Sequence, residues 1–489
     1  MVALAVDLGA SGGRVVAGGF DGALLSVNEV RRFPNDPVRV HGRLHWDVLR
    51  LFHEVKQGIR AADRGGGDRV ETVGIDTWGL DFGLLDRHGE LLGNPYHYRD
   101  RQTDGVMEEV VRIVPRAEIY ARTGIQFMQI NSLYQLFALA RAGSTALEAA
   151  RTLLMMPDLF RSFLTGERCC EYTDATTTQF VALADGDWDR DLLARLGLPV
   201  DLLPPMVPPF GCPAPLAAGV AEEIGVGAVK VVAVAGHDTA SAVLAVPATG
   251  PDFAYLSCGT WSLCGTEVDR PVVDERSLGW NFTNEGGLEG RYRLLRNIMG
   301  LWLVEECRRT WSRDGFAVPY EGLAAAAEEL PPFVSFVDPD NPRFLHPGDM
   351  PGRIAAFCTE TGQPAPEGPG QTLRCILESL ALKYRLVLER TERLAGKQFP
   401  GLHVVGGGSR NALLMRMTAE AIGRPVWAGP SEATAVGNLL GQLIAGGRIG
   451  GVRQAREVVR VSMPVETFEP TGAAGWDEAF ERFSEIARY

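Results

Sequence analysis

One loop design is written twice in this chain, far apart, and it restricts the folds open to it. Residues 4–16 read Leu-Ala-Val-Asp-Leu-Gly-Ala-Ser-Gly-Gly-Arg-Val-Val, and residues 253–265 read Phe-Ala-Tyr-Leu-Ser-Cys-Gly-Thr-Trp-Ser-Leu-Cys-Gly. Each is an apolar run, a knot of Gly, Ser and Thr, and a second apolar run, the pattern of strand, tight turn, strand. Glycine lets the backbone approach a ligand closely, and hydroxyls with free backbone N–H groups suit phosphate oxygens. Two such hairpins imply two related halves gripping one polyphosphate. Ahead of the second loop stands Gly236-His237-Asp238-Thr239-Ala240-Ser241, a carboxylate among small residues. Two phosphate loops and one such acid point to phosphoryl transfer.

At 489 residues the chain exceeds one ordinary core and predicts two domains, or three at most. The Pro247-Ala248-Thr249-Gly250-Pro251 segment is the best linker, which places the domains at 1–246 and 252–489. A net charge of −13 argues against a nucleic-acid partner, whose phosphates demand basic surfaces. No run reaches the roughly 18 apolar residues of a membrane span, and the start lacks the basic region of a signal peptide. None of the eight cysteines forms a C-x-x-C pair, so zinc is not expected. The adjacent Cys169-Cys170 pair fits a reducing cytoplasm better than a disulfide framework.

The patterning is that of an α/β protein. Residues 2–7, 14–18 and 23–33 predict strands separated by glycine turns. Residues 46–62 have helical spacing and run into glycines 65–67; residues 70–77 and 81–85 return to strand. Residues 131–142, 146–154 and 157–164 predict helices, and the proline-rich 204–209 predicts a loop. Residues 229–235 predict a buried strand that delivers His237 and Asp238 at its C-terminal end, where ligands bind in such sheets. In the second half, residues 291–306 predict a strand and then a helix, and 331–351 a proline-rich excursion. Residues 372–394 predict a long amphipathic helix with Thr372 as its cap. Residues 403–405 predict a strand running into Gly406-Gly407-Gly408-Ser409. Helices at 411–422 and 434–445, closed by glycines, complete the pattern.

Each motif carries two readings. The first loop either surrounds a γ-phosphate, with Asp7 near Mg²⁺ directly or through water, or is a plain turn with an exposed acid. It is neither a P-loop nor G-x-G-x-x-G. In the second loop Thr260 and nearby N–H groups suit β- and γ-phosphates; otherwise it is a strand turn beside a buried Trp. Asp238 can be the base that takes a hydroxyl proton, or the N-cap of a helix over 240–244; that segment alone favours the cap. The 406–411 run either lets adenine and ribose lie on the backbone or simply joins strand to helix. Residues 76–82 and 96–101 are a sugar site or a buried Trp with a turn acid, with Arg99 and Asp100 the better candidates in the second stretch. Asn297 is the functional candidate of 281–300, and a hairpin from 286 to 292 explains the rest.

In order and spacing, the first loop, 236–240, the second loop and 406–408 resemble the FGGY carbohydrate kinases of the actin/hexokinase/Hsp70-like ATPase superfamily. Four more stretches extend the likeness over nearly the whole chain. They are Gly74-Ile75-Asp76-Thr77-Trp78-Gly79-Leu80-Asp81-Phe82, Asn131-Ser132-Leu133-Tyr134-Gln135-Leu136, Glu171-Tyr172-Thr173-Asp174-Ala175-Thr176-Thr177-Thr178-Gln179, and Thr283-Asn284-Glu285-Gly286-Gly287 with Asn297-Ile298-Met299-Gly300-Leu301-Trp302-Leu303. The resemblance implies two RNase H-like α/β domains about a central cleft. It implies a kinase that uses ATP and Mg²⁺ to phosphorylate the 1-hydroxyl of a ketose, L-rhamnulose first, with L-fuculose or xylulose as the nearest alternatives. A non-catalytic sugar- or nucleotide-binding regulator on the same fold is the competing class. By resemblance, Ala10, Ser11, Gly12, Gly13, Arg14 and Thr260 contact ATP phosphates, Glu305 lies near the nucleotide and Gly407 lies under the adenosine. Gly79, His237, Asp238, Thr239 and Asn297 hold the ketose, and Asp238 accepts its proton. Two departures stand out: Gly12 where many relatives have Ser, and Glu305 where relatives can have Gln. The implied partners are a small ketose and ATP, with no nucleic acid or membrane, in a cytoplasmic monomer or homodimer.

Overall fold

A computed structural model describes residues 2–64, 69–315 and 319–487. The glycines at 65–67 expected to close the first helix lie outside the described residues. The chain forms two compact units that are discontinuous in sequence. The first comprises Met1–Thr249, Val268–Leu294 and Ala433–Met463; the second comprises Gly250–Glu267, Leu295–Glu432 and Pro464–Tyr489.

In the first unit, β1 (Val2–Leu8), β2 (Gly12–Phe20) and β3 (Leu25–Pro34) form an antiparallel meander. Helix α1 (Val48–Arg64) follows, then β4 (Val70–Thr77), β5 (Gly211–Pro215) and β6 (Lys230–Ala233). The sheet order is β5-β6-β4-β1-β2-β3, with β6, β4 and β1 parallel to one another. Leu4, Ala5 and Val6 of β1 are all fully buried. This is why β1 reads as an unbroken apolar run, the mark of a strand covered on both faces. Helix α2 (Asp238–Leu244) starts five residues after the end of β6.

The second unit repeats the plan. Strands β7 (Ala254–Cys258) and β8 (Trp261–Val268) form an antiparallel hairpin, followed by β9 (Tyr292–Met299) and α3 (Trp302–Arg313). After the long α4 (Gly368–Ala395), β10 (Leu402–Val405) lies parallel to β7, as β4 does to β1. Helix α5 (Ala412–Ile422), β11 (Val426–Ala428) and β12 (Glu466–Phe468) finish a sheet in which β9-β8-β7-β10-β11-β12 run side by side. The duplicated loop is therefore the visible tip of a duplicated topology, with each loop joining the first two strands of its sheet.

Helix α6 (Ala433–Ala445) returns to the first unit. A side chain at Gly58 of α1 would meet Val15, and one at Gly18 would meet Leu439 of α6. Residues 15 and 18 lie on opposite faces of β2, so α1 and α6 cover the two faces of the sheet. Two polar residues of α6, one helical turn apart, reach into the strands. Asn438 Nδ2 donates to Asp76 Oδ2 at 2.5 Å, and Gln442 Nε2 donates to the Leu4 carbonyl at 2.8 Å.

Three local expectations give way. The helix expected over 146–154 is a short helix, Thr145–Ala149, followed by a strand, Thr152–Met155. That strand pairs antiparallel with Phe82–Leu85, and a short apolar run is ambiguous until its partner is known. The proline-rich 204–209 contains Met206–Val207, which pairs with Cys170–Glu171. Helix α4 begins at Gly368, before Thr372. Proline in its first turn permits the early start. The Thr372 hydroxyl bonds back to the Gly368 carbonyl at 2.9 Å, so it is no cap.

Candidate active site

The parallel strands β1, β4 and β6 bring three chain segments to one edge of the first unit's sheet. Asp7 stands opposite Asp76 in the β1–β4 register, and the Thr77 N–H donates to the Gly236 carbonyl at 2.9 Å. The Trp78 N–H reaches the Leu8 carbonyl at 3.3 Å. The first loop, Gly79 and the 236–239 turn are thus neighbours because their strands are.

Asp238 is the first residue of α2, and His237 is the flanking N-cap position, with no side-chain cap bond. The capping reading of Asp238 fails for that reason. Its carboxylate accepts a hydrogen bond from the Thr239 hydroxyl at 3.1 Å and lies 3.4 Å from His237 Nε2. The side chain keeps 31% exposure, so a substrate can reach it. Burial raises its pKa, the nearby His237 opposes that, and Asp7 adds to it.

His237 is held from behind. Arg293 Nη2 lies 3.1 Å from His237 Nδ1, Arg293 Nη1 lies 3.2 Å from Glu285, and Arg293 Nε donates to the Gly286 carbonyl. A guanidinium only donates, so Nδ1 accepts and Nε2 carries the hydrogen toward Asp238. The backbone is fixed from below by Glu171. Its Oε2 accepts from the Gly236 N–H at 2.8 Å and from the Thr173 hydroxyl at 2.5 Å, and that hydroxyl in turn accepts from the His237 N–H. Gly79 is buried beside Thr177 and Asp174, with Asp174 Oδ1 3.2 Å from where its Cβ would stand. Asp174 is fully buried and its Oδ2 has no hydrogen-bond partner. Glu171, Asp174 and Glu285 lie in stretches that carry the resemblance, but the sequence assigns no role to them or to Arg293. The available signal was charge inside strands and turns that otherwise read as core.

In the first loop the Gly9 N–H closes onto the Gly12 carbonyl at 2.9 Å, and Ser11 is the exposed tip. Ala10, Gly12 and Arg14 are half-buried and Gly13 is buried. Arg14 grips Asp7 through Nε at 2.8 Å and Nη2 at 2.6 Å, both on Oδ2. A Cβ at Gly12 would meet only the Phe33 carbonyl, at 3.4 Å, so a side chain can start there without a backbone clash. Among the described residues no three His, Cys, Asp or Glu side chains form a metal cage. What fits Mg²⁺ is charge. Asp76 is pushed well above the ordinary carboxylate range by burial and then by Asp7, and Asp238 also feels Asp7. A cation beside Asp7 would relieve all three, with phosphates and water as its other ligands.

In the second unit the Gly259 N–H closes onto the Trp261 carbonyl at 2.8 Å, a turn like that of the first loop. The Thr260 carbonyl accepts from the Trp302 N–H at 3.2 Å, which anchors the loop to the start of α3. Glu305 lies in the first turn of that helix, where an acid suits the dipole, and its Oε1 is 3.5 Å from the Thr260 hydroxyl. The three glycines of 406–408 divide by role. A Cβ at Gly406 or Gly408 would crowd Cys258, whereas Gly407 is exposed with nothing within 4 Å. Asn297 is half-buried on β9. The strand end beside it is pinned by Asp340, which accepts from the Met299 N–H at 3.0 Å and pairs with Arg296 and Lys383, each at 3.0 Å.

Within 76–101, Trp78, Asp81 and Asp100 are held by partners in the fold. Trp78 stacks on Trp46 at 4.0 Å, and Asp81 accepts from both indoles, from the Tyr98 N–H and from Gln135. Asp100 is engaged by Arg43 and the Leu44 N–H, which ties down its own loop. Arg99 is 1% exposed. Burial raises Asp81 and Glu171 to about 7 each. A carboxyl raised on folding contributes stability below its unfolded value and loses it as pH rises through the folded one. The urea midpoint should therefore be higher at about pH 5.5 than at about pH 8. Equal midpoints would show that these two acids ionise freely in the folded chain.

Family models agree with this architecture. Residues 2–245 match the N-terminal domain, and residues 254–446 the C-terminal domain, of the FGGY family of carbohydrate kinases. The chain is 45% identical over 484 residues to a rhamnulokinase of Bacteroides thetaiotaomicron, covering 99% of each chain. It is 42% identical to a rhamnulokinase of Halalkalibacterium halodurans, covering 95% of this chain and 98% of the other. Among solved structures, the ligand-bound xylulose kinase of Lactobacillus acidophilus superposes with a TM-score of 0.81 at 16% identity, covering 100% of this chain and 98% of that one. Plasmodium falciparum glycerol kinase with ADP gives 0.76 at 13%, covering 100% and 97%. The two structural likenesses carry the fold alone. The full-length matches carry more: this chain belongs to the FGGY family of carbohydrate kinases.

Proposed function

We propose that this ATP-dependent carbohydrate kinase transfers the γ-phosphoryl group of MgATP to the 1-hydroxyl of L-rhamnulose, giving L-rhamnulose 1-phosphate and ADP. The observation that carries the chemistry is the half-exposed carboxylate of Asp238, free of capping duty at the C-terminal side of the parallel strands. The full-length likeness to rhamnulokinases supports the choice of sugar. In this reading Gly79, His237, Thr239 and Asn297 hold the ketose, with the His237 Nε2–H and the Thr239 hydroxyl orienting Asp238. Asp238 takes the hydroxyl proton as the hydroxyl oxygen bonds to the γ-phosphorus and the bond to the ADP oxygen breaks. Ala10, Ser11, Gly12, Gly13, Arg14 and Thr260 receive the phosphates, Glu305 sits near the nucleotide, and the exposed Gly407 is the floor for adenosine. Bound Mg²⁺ would neutralise phosphate charge, held by Asp7 directly or through water.

The matches over 2–245 and 254–446 support 1–246 and 252–489 as the two halves of the chain. The protein is read as cytoplasmic; none of its described helices is long and apolar enough to cross a membrane, and all eight cysteines are free thiols. Its partners are the sugar and ATP, in a monomer or homodimer. The test is ADP release with MgATP across a ketose panel. Turnover on L-rhamnulose well above L-fuculose and xylulose is the expected result. Preference for another ketose would overturn the sugar, and ATP binding with no turnover on any sugar would favour a regulator.

A further inference from the structure

Behind the 236–238 turn lies a pair of thiols that phosphoryl transfer does not use. Cys169 Sγ and Cys212 Sγ are 3.8 Å apart, both within the first unit. A disulfide needs about 2.05 Å between sulfurs, so the pair is one small shift from bonding. The backbone around Cys212 can make that shift. It lies on the edge strand β5, where pairing with β6 is irregular between Gly211 and Ala214, and its φ is 48°. The next residue, Pro213, has no N–H to add to the ladder.

Exposure assigns the order of events. Cys212 is half-exposed, whereas Cys169 is 6% exposed. Arg161, itself 3% exposed, places Nη2 2.7 Å from Cys169 Sγ and 2.9 Å from the Cys169 carbonyl. The other two guanidinium nitrogens, Nε and Nη1, are buried without a hydrogen-bond partner among the described residues. Burial disfavours a thiolate at Cys169, and the Arg161 charge beside it works the other way. Cys170, next in sequence, is fully buried with its thiol on the Leu153 carbonyl and takes no part.

We propose that Cys169 and Cys212 form a reversible peroxide-driven disulfide site. Cys212, which solvent reaches, attacks the peroxide O–O bond as its thiolate, becomes a sulfenic acid and releases hydroxide. Cys169 then attacks the Cys212 sulfur while Arg161 neutralises its developing charge, and the sulfenic oxygen leaves as water. In total two thiols lose two hydrogens and two electrons, and the peroxide is reduced to two waters. The site lies close behind the catalytic turn. Arg161 pairs with Asp158 at 3.4 Å, Asp158 accepts from the Glu171 N–H at 3.0 Å, and Glu171 holds the Gly236 N–H at 2.8 Å.

The test is a peptide map of the full chain after brief hydrogen peroxide treatment, alkylation of remaining thiols, and digestion without reductant. The expected product is one cross-linked pair of peptides containing Cys169 and Cys212, lighter by two hydrogens and separated by dithiothreitol. The Cys212→Ser variant should lose the cross-link and keep Cys169 alkylatable. If that variant fails to fold, the map of the unaltered protein decides alone. Full alkylation of both residues after peroxide would overturn the proposal. So would over-oxidation of Cys212 without a cross-link, or a cross-link confined to other cysteines.

Discussion

An Asp238→Asn protein should bind sugar and ATP as before and turn over at least about 10²-fold more slowly. The amide has nearly the shape of the carboxylate, and its oxygen can still accept from the Thr239 hydroxyl. What it lacks is basicity. Because Asp238 is not the N-cap, the substitution removes no cap from α2; the charge lost from its first turn costs about 0.3–1 kcal/mol. A second reading comes from pH. The base must be ionised to work, and burial together with Asp7 raises its pKa. The acid limb of kcat/KM should therefore lie above the ordinary carboxylate range of about 4, and it should vanish in the variant. Near-normal turnover in Asp238→Asn, or an acid limb that survives it, would remove Asp238 from the role of base.

The largest effect on stability is expected at Gly437, far from Asp238 in sequence. A Cβ there would overlap the Ser241 carbonyl oxygen, so α6 and α2 touch backbone to backbone at this point. A side chain in the way can rotate; a carbonyl inside a helix cannot. Gly437→Ala must push the helices apart, at a cost of about 3 kcal/mol or more out of a typical total of about 5–15 kcal/mol. Helix α2 begins with Asp238, so the same displacement moves the proposed base, and a shift of about 1 Å can cost about 10²-fold in rate. Urea unfolding and turnover should fall together. Gly219→Ala, at a helical position with open space around it, should do neither. A Gly437→Ala protein as stable as the parent would mean that the two helices are not in contact there.

What was legible in the sequence was what repeats or runs apolar. The two loops, β1, β4, β6 and the long helix were readable because burial on both faces, or on one stripe, writes itself as pattern. The 236–241 segment is legible as a candidate site with Asp238 either base or cap; a short polar residue before a helix suggests a cap, and only the backbone shows that the helix starts at Asp238 itself. Asp100 and Arg99 drew attention as charges beside aromatics, yet partners elsewhere in the chain engage Asp100. The residues that hold the site from behind were not readable. Glu171, Glu285 and Arg293 act through contacts between segments tens of residues apart, and no local spacing encodes them. The glycine run at 406–408 reads either as a floor for adenosine or as a tight connection, and two of its glycines serve the close approach to Cys258.

The return of α6 to the first sheet has a consequence for biosynthesis. Synthesis proceeds from the N-terminus, and β1 and β4 leave the ribosome long before Ala433–Ala445. Until then Asp76 lacks the Asn438 amide, the Leu4 carbonyl lacks Gln442, and the strand face that α6 covers is bare. The first unit thus starts to be translated well before the second, yet it cannot be finished until its last segment, Ala433–Met463, has been made. Its closing piece is delivered only after nearly all of the second unit exists, so a nascent chain halted near residue 250 exposes an apolar surface to chaperones.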